Sequence, residues 1–266
     1  MAILWLLLIH WYSSLFFQSF FHHRYSAHAV CTMSRFWEKM FFIGCFLTQG
    51  SSYISAKAYG AMHRLHHAHT DKPSDPHSPS ISGNLFKMMW DTRNNYFDIY
   101  KGRTEVPAKF MKDLPEWDEF DKYAHNYVSR LIWGGIYISL YWVFATEWWQ
   151  FLFLPVHFLM GSFQGAVVNY WAHVWGYVNF KQNNTSKNIV PFDLFFWGES
   201  YHNNHHKYPG RLNNAVKWFE WDMGYFAMQV MDALGIIRMK RKNKDHEAII
   251  ATDSPSNKQP VAEVAA

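Results

Sequence analysis

The sequence predicts an all-α integral membrane bundle of three to four spans, carrying a cytosolic helical cap. Three observations point there. Long apolar stretches alternate with polar segments. The chain is rich in rings, with 14 Trp, 15 Tyr and 23 Phe in 266 residues. Nine of its 16 histidines gather in four short clusters at helix-like spacing. The mean hydropathy of −0.24 argues against a wholly membrane-buried chain and for a membrane part joined to a polar one.

A helical crossing takes about 20 apolar residues. The stretch from Ala2 to Phe21 meets that length and holds no Asp, Glu, Lys or Arg. It lacks a basic start and a small-residue cleavage site, which makes a signal peptide the weaker reading. Two further spans are expected at 128–146 and 148–169, parted at Glu147, with Trp148 and Trp149 at the interface. A fourth apolar stretch, Phe36 to Ala58, contains Glu38, Lys39, Gln49 and Lys57. One crossing there would put His28 and His63 on opposite sides, and the stretch is too short for two crossings and a turn. It is expected to lie as a helix at the interface or under the cap. The cap then comprises 22–127 and 170–244.

The formal charge is +4. The basic run Arg238-Met-Lys-Arg-Lys-Asn-Lys244 suits a cytoplasmic segment beside the membrane, which places the cap in the cytoplasm. Residues 245–266 are poor in aromatics and rich in Ala, Ser, Pro, Lys and Glu, so a disordered tail is expected. Two cysteines, Cys31 and Cys45, make no disulfide framework. No feature points to nucleic acid.

The clusters carry the chemistry. His63, His66 and His67 stand three and four apart, and His202, His205 and His206 repeat the pattern. On a helix such residues share a face. His173 follows Asn169 by four. His23 and His28 are five apart, about 140° around a regular helix, so a helix end or bend is expected there. Imidazole suits iron, copper and zinc. Nine nitrogens are too many for one ion and suit two. Structural zinc usually takes four ligands with cysteine, so a redox pair, iron, fits better. Asn169 is expected to reach metal through a water. Asp71, Asp75 and Glu199 are expected to hold ring N–H groups behind the ligands. His22, His69 and His77 are off the spacing and stay outside the ligand set. His10 and His157 fall within spans and read as neutral, hydrogen-bonded residues.

In these motifs the chain resembles the membrane-bound fatty acid desaturases of the stearoyl-CoA Δ9 type. His23-Arg-Tyr-Ser-Ala-His28 resembles the first histidine box. His63-Arg-Leu-His66-His67 with Asp75-Pro-His77 resembles the second. Asn169-Tyr-Trp-Ala-His173 with Gly176 is similar to the Asn-x-x-x-His element, and Glu199-Ser-Tyr-His202-Asn-Asn-His205-His206 with Pro209 to the third box. The resemblance runs from about residue 15 to 240. It implies two irons on the nine histidines and a cis double bond placed, at Δ9, in a long saturated acyl chain with O2 and two electrons. It also implies four spans with two before the first box, where this chain shows one. Animal acyl-CoA desaturases carry Arg-Asp before the second box; Ala61 and Met62 stand here. Lys57, Lys72, Lys87 and Arg93 are candidate phosphate holders, and acyl carrier protein or an intact lipid stays open beside CoA as the acyl carrier.

No Gly-x-Gly-x-x-Gly turn is present, and two cysteines cannot bind an iron–sulfur cluster. The electrons are therefore expected from a separate ferredoxin or cytochrome b5-like carrier with its reductase. A hydroxylase on the same histidine scaffold and a membrane metal-binding or transport protein are the alternatives.

Overall fold

The computed structural model describes residues 1–240. The expected tail at 245–266 and the end of the basic run lie outside them.

The first helix, α1 (Ala2–Phe17), runs without a break into a π-helical segment, Gln18–Ala27. Together they form the one continuous helix, Ala2–Ala27, that is long and apolar enough to cross a membrane among the described residues. A short strand, β1 (Cys31–Met33), pairs antiparallel with β2 (Ile237–Met239), Thr32 facing Arg238. Its occurrence departs from the all-α expectation: two three-residue edges close the cap and tie its last described strand to the end of the first box.

Helix α2 (Arg35–Gln49) begins where Ser34 accepts from the Trp37 N–H and ends at Gly50, whose φ of +54° and contact with Tyr137 both require glycine. At 15 residues it is too short to span. It packs along α1. Helix α3 (Ala56–His69) lies closest to the π segment. Then come a single turn, α4 (Pro79–Ser82), and α5 (Leu85–Tyr100), capped by the Asn84 side chain. Two short helices, α6 (Ala108–Met111) and α7 (Asp118–Ala124), lead to α8 (Tyr127–Phe144), capped by Asn126.

Helix α8 matches the expected second span in position but falls below the apolar content of a crossing helix. Its Arg130 donates to the carbonyls of Ser51 and Tyr53, anchoring that end to the cap. Its Leu131 and Trp142 are 75% and 82% exposed, a surface that suits lipid. The expected third span is not one straight helix. A 3-10 stretch, Trp148–Phe153, leads into α9 (Leu154–Phe158); α10 (Met160–Ala166), a π turn Val167–Trp171 and α11 (Ala172–Val174) follow. The two halves meet at 73°. Pro155 has no N–H to continue the preceding turn, and the chain leaves helical geometry at Leu159. Among the described residues one helix, or two counting the bent pair, is long and apolar enough to cross a membrane, against three to four spans expected.

The described helices end with α12 (His202–Lys207) and α13 (Met223–Ala233), the latter capped by Asp222. Helix α13 packs on the fold's main core, which joins Phe20, Phe21, Phe41, Phe42, Cys45 and Met228. Arg24 is buried at 4% exposure beside that core and donates to both Asp222 oxygens at 2.9 Å, and to the carbonyls of Leu212 and Trp197.

Candidate metal centre

The histidines converge from four elements. In the π segment each N–H bonds five residues back, so positions five apart stack on one face. His28 caps the end of the segment, where a helix end or bend was expected, and its N–H bonds back to the His23 carbonyl in the same five-residue pattern, bringing the two rings to one site. Helix α3 contributes His63, His66 and His67, α11 contributes His173, and α12 contributes His202, His205 and His206.

They divide five and four. His23, His28, His63, His67 and His205 form one group; His66, His173, His202 and His206 form the other. In the first, Nε2 atoms lie 3.0 Å apart for His23–His205, His63–His67 and His28–His63, and 2.9 Å for His67–His205. In the second the distances are 3.2 Å for His66–His206 and 3.0 Å for His202–His206 and His173–His202. Donors about 2.1 Å from a metal sit about 3.0 Å apart along the edge of an octahedron, and about 3.4 Å apart in a tetrahedron. The observed spacing fits the octahedral edge. Several of these Nε2 atoms face two others at once, more than the single N–H of a neutral ring can satisfy. A cation in each group satisfies all of them.

The far ring nitrogens point outward to acceptors. His23 Nδ1 lies 2.7 Å from Glu199 Oε2, and His66 Nδ1 lies 2.8 Å from Asp75 Oδ1. Asp71 acts at one remove: it accepts from the Thr185 hydroxyl at 2.9 Å, and Thr185 Oγ1 lies 3.0 Å from His173 Nδ1. A proton held on Nδ1 leaves the Nε2 lone pair directed inward. Burial opposes the ionisation of Glu199, but His23, Arg24 and Ser19 outweigh it and hold the carboxyl below its usual range. Asp75 has no cation beside it, and burial pushes it up to about 7. Burial also holds the rings neutral, the form that coordinates: His67 falls to about 3, and His28, His63, His66, His202, His205 and His206 fall well below the ordinary value.

Asn169 sits half-buried on the π turn, one turn before His173. The asparagines of α12 hold the centre's floor. Asn203 accepts from the N–H groups of Asn179 and Phe180, while Asn204 donates to Glu220 and the Asn214 carbonyl. Sequence spacing gives no sign of Thr185 or of these clamps, because their partners lie far along the chain. His77, set outside the ligand set by its spacing, packs on His66 at 4.2 Å between ring centres, with neither nitrogen bonded and both buried. His22 Nε2 lies 3.0 Å from the Ile54 carbonyl, and His10 and His157 pair at 2.7 Å.

The candidate phosphate holders are largely engaged. Lys57 pairs with Glu116, and Lys87 with Asp91 at 2.7 Å. Arg93 stacks on Trp90 and Phe97. Ala61 and Met62 are buried at 0% and 4% exposure and offer nothing to a nucleotide.

A family model described as fatty acid desaturase matches residues 1–222. Delta-9 desaturase-like 5 protein of Arabidopsis thaliana is 28% identical over 229 residues, 82% of this chain and 70% of its own length. Delta-9 acyl-lipid desaturase 1 of the same plant is 25% identical over 219 residues, covering 81% and 67%. The sn-1 stearoyl-lipid 9-desaturase of Synechocystis is 26% identical over 230 residues, covering 81% and 64%.

Proposed function

The chain belongs to the fatty acid desaturase family, and from that premise we propose that it inserts a cis double bond at Δ9 of a long saturated acyl chain, using O2 and two electrons at two irons. Over one turnover two hydrogens leave adjacent methylenes, a C=C bond forms, and O2 with two electrons and two protons becomes two waters. The observation that carries this reading is the division of nine imidazoles, six buried and three half-buried, into five and four, with neighbouring Nε2 atoms 2.9–3.2 Å apart. Side-chain acids and bases cannot break an unactivated C–H bond; bound iron would supply the oxidising power.

The chain's own residues supply the rest. His23, His28, His63, His67 and His205 would hold one ion, and His66, His173, His202 and His206 the other, with Asn169 holding a water toward the second. Glu199, Asp75 and Asp71 through Thr185 fix ring orientation and offset cationic charge. The electrons would come from a ferredoxin or cytochrome b5-like protein with its reductase, and the cap would face the cytoplasm.

An acyl group carried on a membrane lipid fits this chain better than acyl-CoA. Ala61 and Met62 are apolar and buried, and Lys57 and Lys87 are paired with carboxylates. Two of the relatives are named as acyl-lipid and stearoyl-lipid desaturases. Microsomes bearing the protein, supplied with reductant and either labelled stearoyl-CoA or phosphatidylcholine labelled in its stearoyl chain, test this. Label should appear as a monoene in phosphatidylcholine under conditions that block acyl exchange. Conversion of stearoyl-CoA alone would overturn the lipid assignment.

A further inference from the structure

The continuous apolar helix Ala2–Ala27, α1 with its π segment, carries a polar residue at every fourth position from His10 onward: His10, Ser14, Gln18 and His22. Each meets a different partner. His10 pairs with His157 of α9 at 2.7 Å, and the Ser14 hydroxyl donates to Gln164 of α10 at 3.2 Å. Gln18 accepts from Gln49 at 3.0 Å, and His22 reaches the Ile54 carbonyl. His10, Ser14, His157 and Gln164 are all at most 8% exposed.

The first two rungs join α1 to the bent pair on either side of its break at Leu159. Gln164 grips at both ends, since its amide also donates to the Trp11 carbonyl at 3.1 Å. Its side chain thus fixes α10 against α1 in translation and rotation. The two helices run in the same direction toward the centre. Ser14 stands nine residues before His23, and Gln164 stands nine before His173. A π stretch begins between rung and histidine in both. His23 belongs to the five-histidine group and His173 to the four-histidine group.

We infer that the Ser14–Gln164 contact, seconded by His10–His157, is a register clamp that sets the position of one metal group relative to the other. Ser14 and Gln164 are positioning residues: neither touches the centre. In an apolar surround such contacts have no water to replace them, so their loss lets parallel helices slide rather than rebond. This inference rests on the two-metal reading above.

The test uses the full chain purified in detergent and loaded with manganese alone. Metal per chain is measured by mass spectrometry, and the dipolar splitting of the electron paramagnetic resonance spectrum reads the separation of the two ions. Ser14→Ala with Gln164→Met should keep two manganese ions per chain and change the splitting, whereas Ser14→Thr, which retains the hydroxyl, should keep the wild-type splitting. Turnover of the first variant should fall about ten- to hundred-fold, as misplacement of reacting groups does, with KM held. Ser14→Ala alone carries the test if the double variant does not fold. A wild-type splitting in Ser14→Ala or the double variant would overturn the clamp. Wild-type protein that binds no pair of ions would instead overturn the two-metal reading, and the clamp with it.

Discussion

Glu199 shows how much a single side chain contributes to the centre. It is buried, it contacts His23, and Ser19 and Arg24 hold it in place. Replacing such an outer partner commonly costs 10–100-fold in metal affinity, so Glu199→Gln should weaken metal retention by about that factor with the fold intact. Metal content after dialysis against graded chelator measures it, and wild-type retention would contradict the role. Asp222 answers a different need. It receives the buried Arg24 guanidinium and caps α13 through the Tyr225 N–H. Asp222→Ala strips that buried charge of its bidentate partner and leaves it Glu199 at 3.9 Å, and breaking a buried pair in this way costs about 3–5 kcal/mol. Denaturant unfolding in detergent should show it; a loss below about 1 kcal/mol would mean that Arg24 finds water or another acceptor. At this scale the histidines were legible because the His-x-x-His-His spacing works locally. Their assignment to five and four was not, since His66 parts from its neighbours His63 and His67 only when α12 arrives from far along the chain. Thr185 was hidden for the same reason, and His77 because a loop, not a helix, brings it against His66.

Among the elements, the π segment and α3 form the tightest joint. An added Cβ on Gly60 would lie 2.5 Å from Ser26 Oγ and 2.6 Å from Leu114 Cδ2. Gly60→Val should therefore push α3, with His63, away from His23 and His28. Overpacking of this kind typically costs about 1–3 kcal/mol, and the five-histidine group should lose metal before the four-histidine group does. Metal content titrated below two ions per chain distinguishes this from equal loss at both groups, which would argue against a local effect. The sequence shows that His23 and His28 cannot share a face on a regular helix. It does not show that a π helix solves the problem, because no residue type in the segment demands one. Likewise Pro155 hints at the break in the bent pair, whereas its 73° angle and the contacts of both halves with α1 are not displayed by composition.

For the molecule as a whole, the two histidine groups join the first helix to α3, α11 and α12. Nine imidazoles, six buried and three half-buried, drawn from the π segment and its cap, α3, α11 and α12 stand with competing nitrogens face to face unless a cation lies between them. Chelation should lower the melting temperature of the detergent-solubilised protein, and iron should restore it; an unchanged melting temperature would mean the cap holds without metal. Apolar stretches made the mostly helical fold legible, but not how each ring-rich helix divides its surface: α8 buries Tyr137 and Tyr141 and exposes Leu131 and Trp142. The most direct test of the central claim is the fatty acid profile of a host lacking unsaturated acids that expresses the chain, beside a known desaturase and a His63→Ala, His206→Ala control. Wild type alone should yield a new monounsaturated acid with its double bond at Δ9. A hydroxylated acid, or no new acid while the known desaturase works, would contradict it.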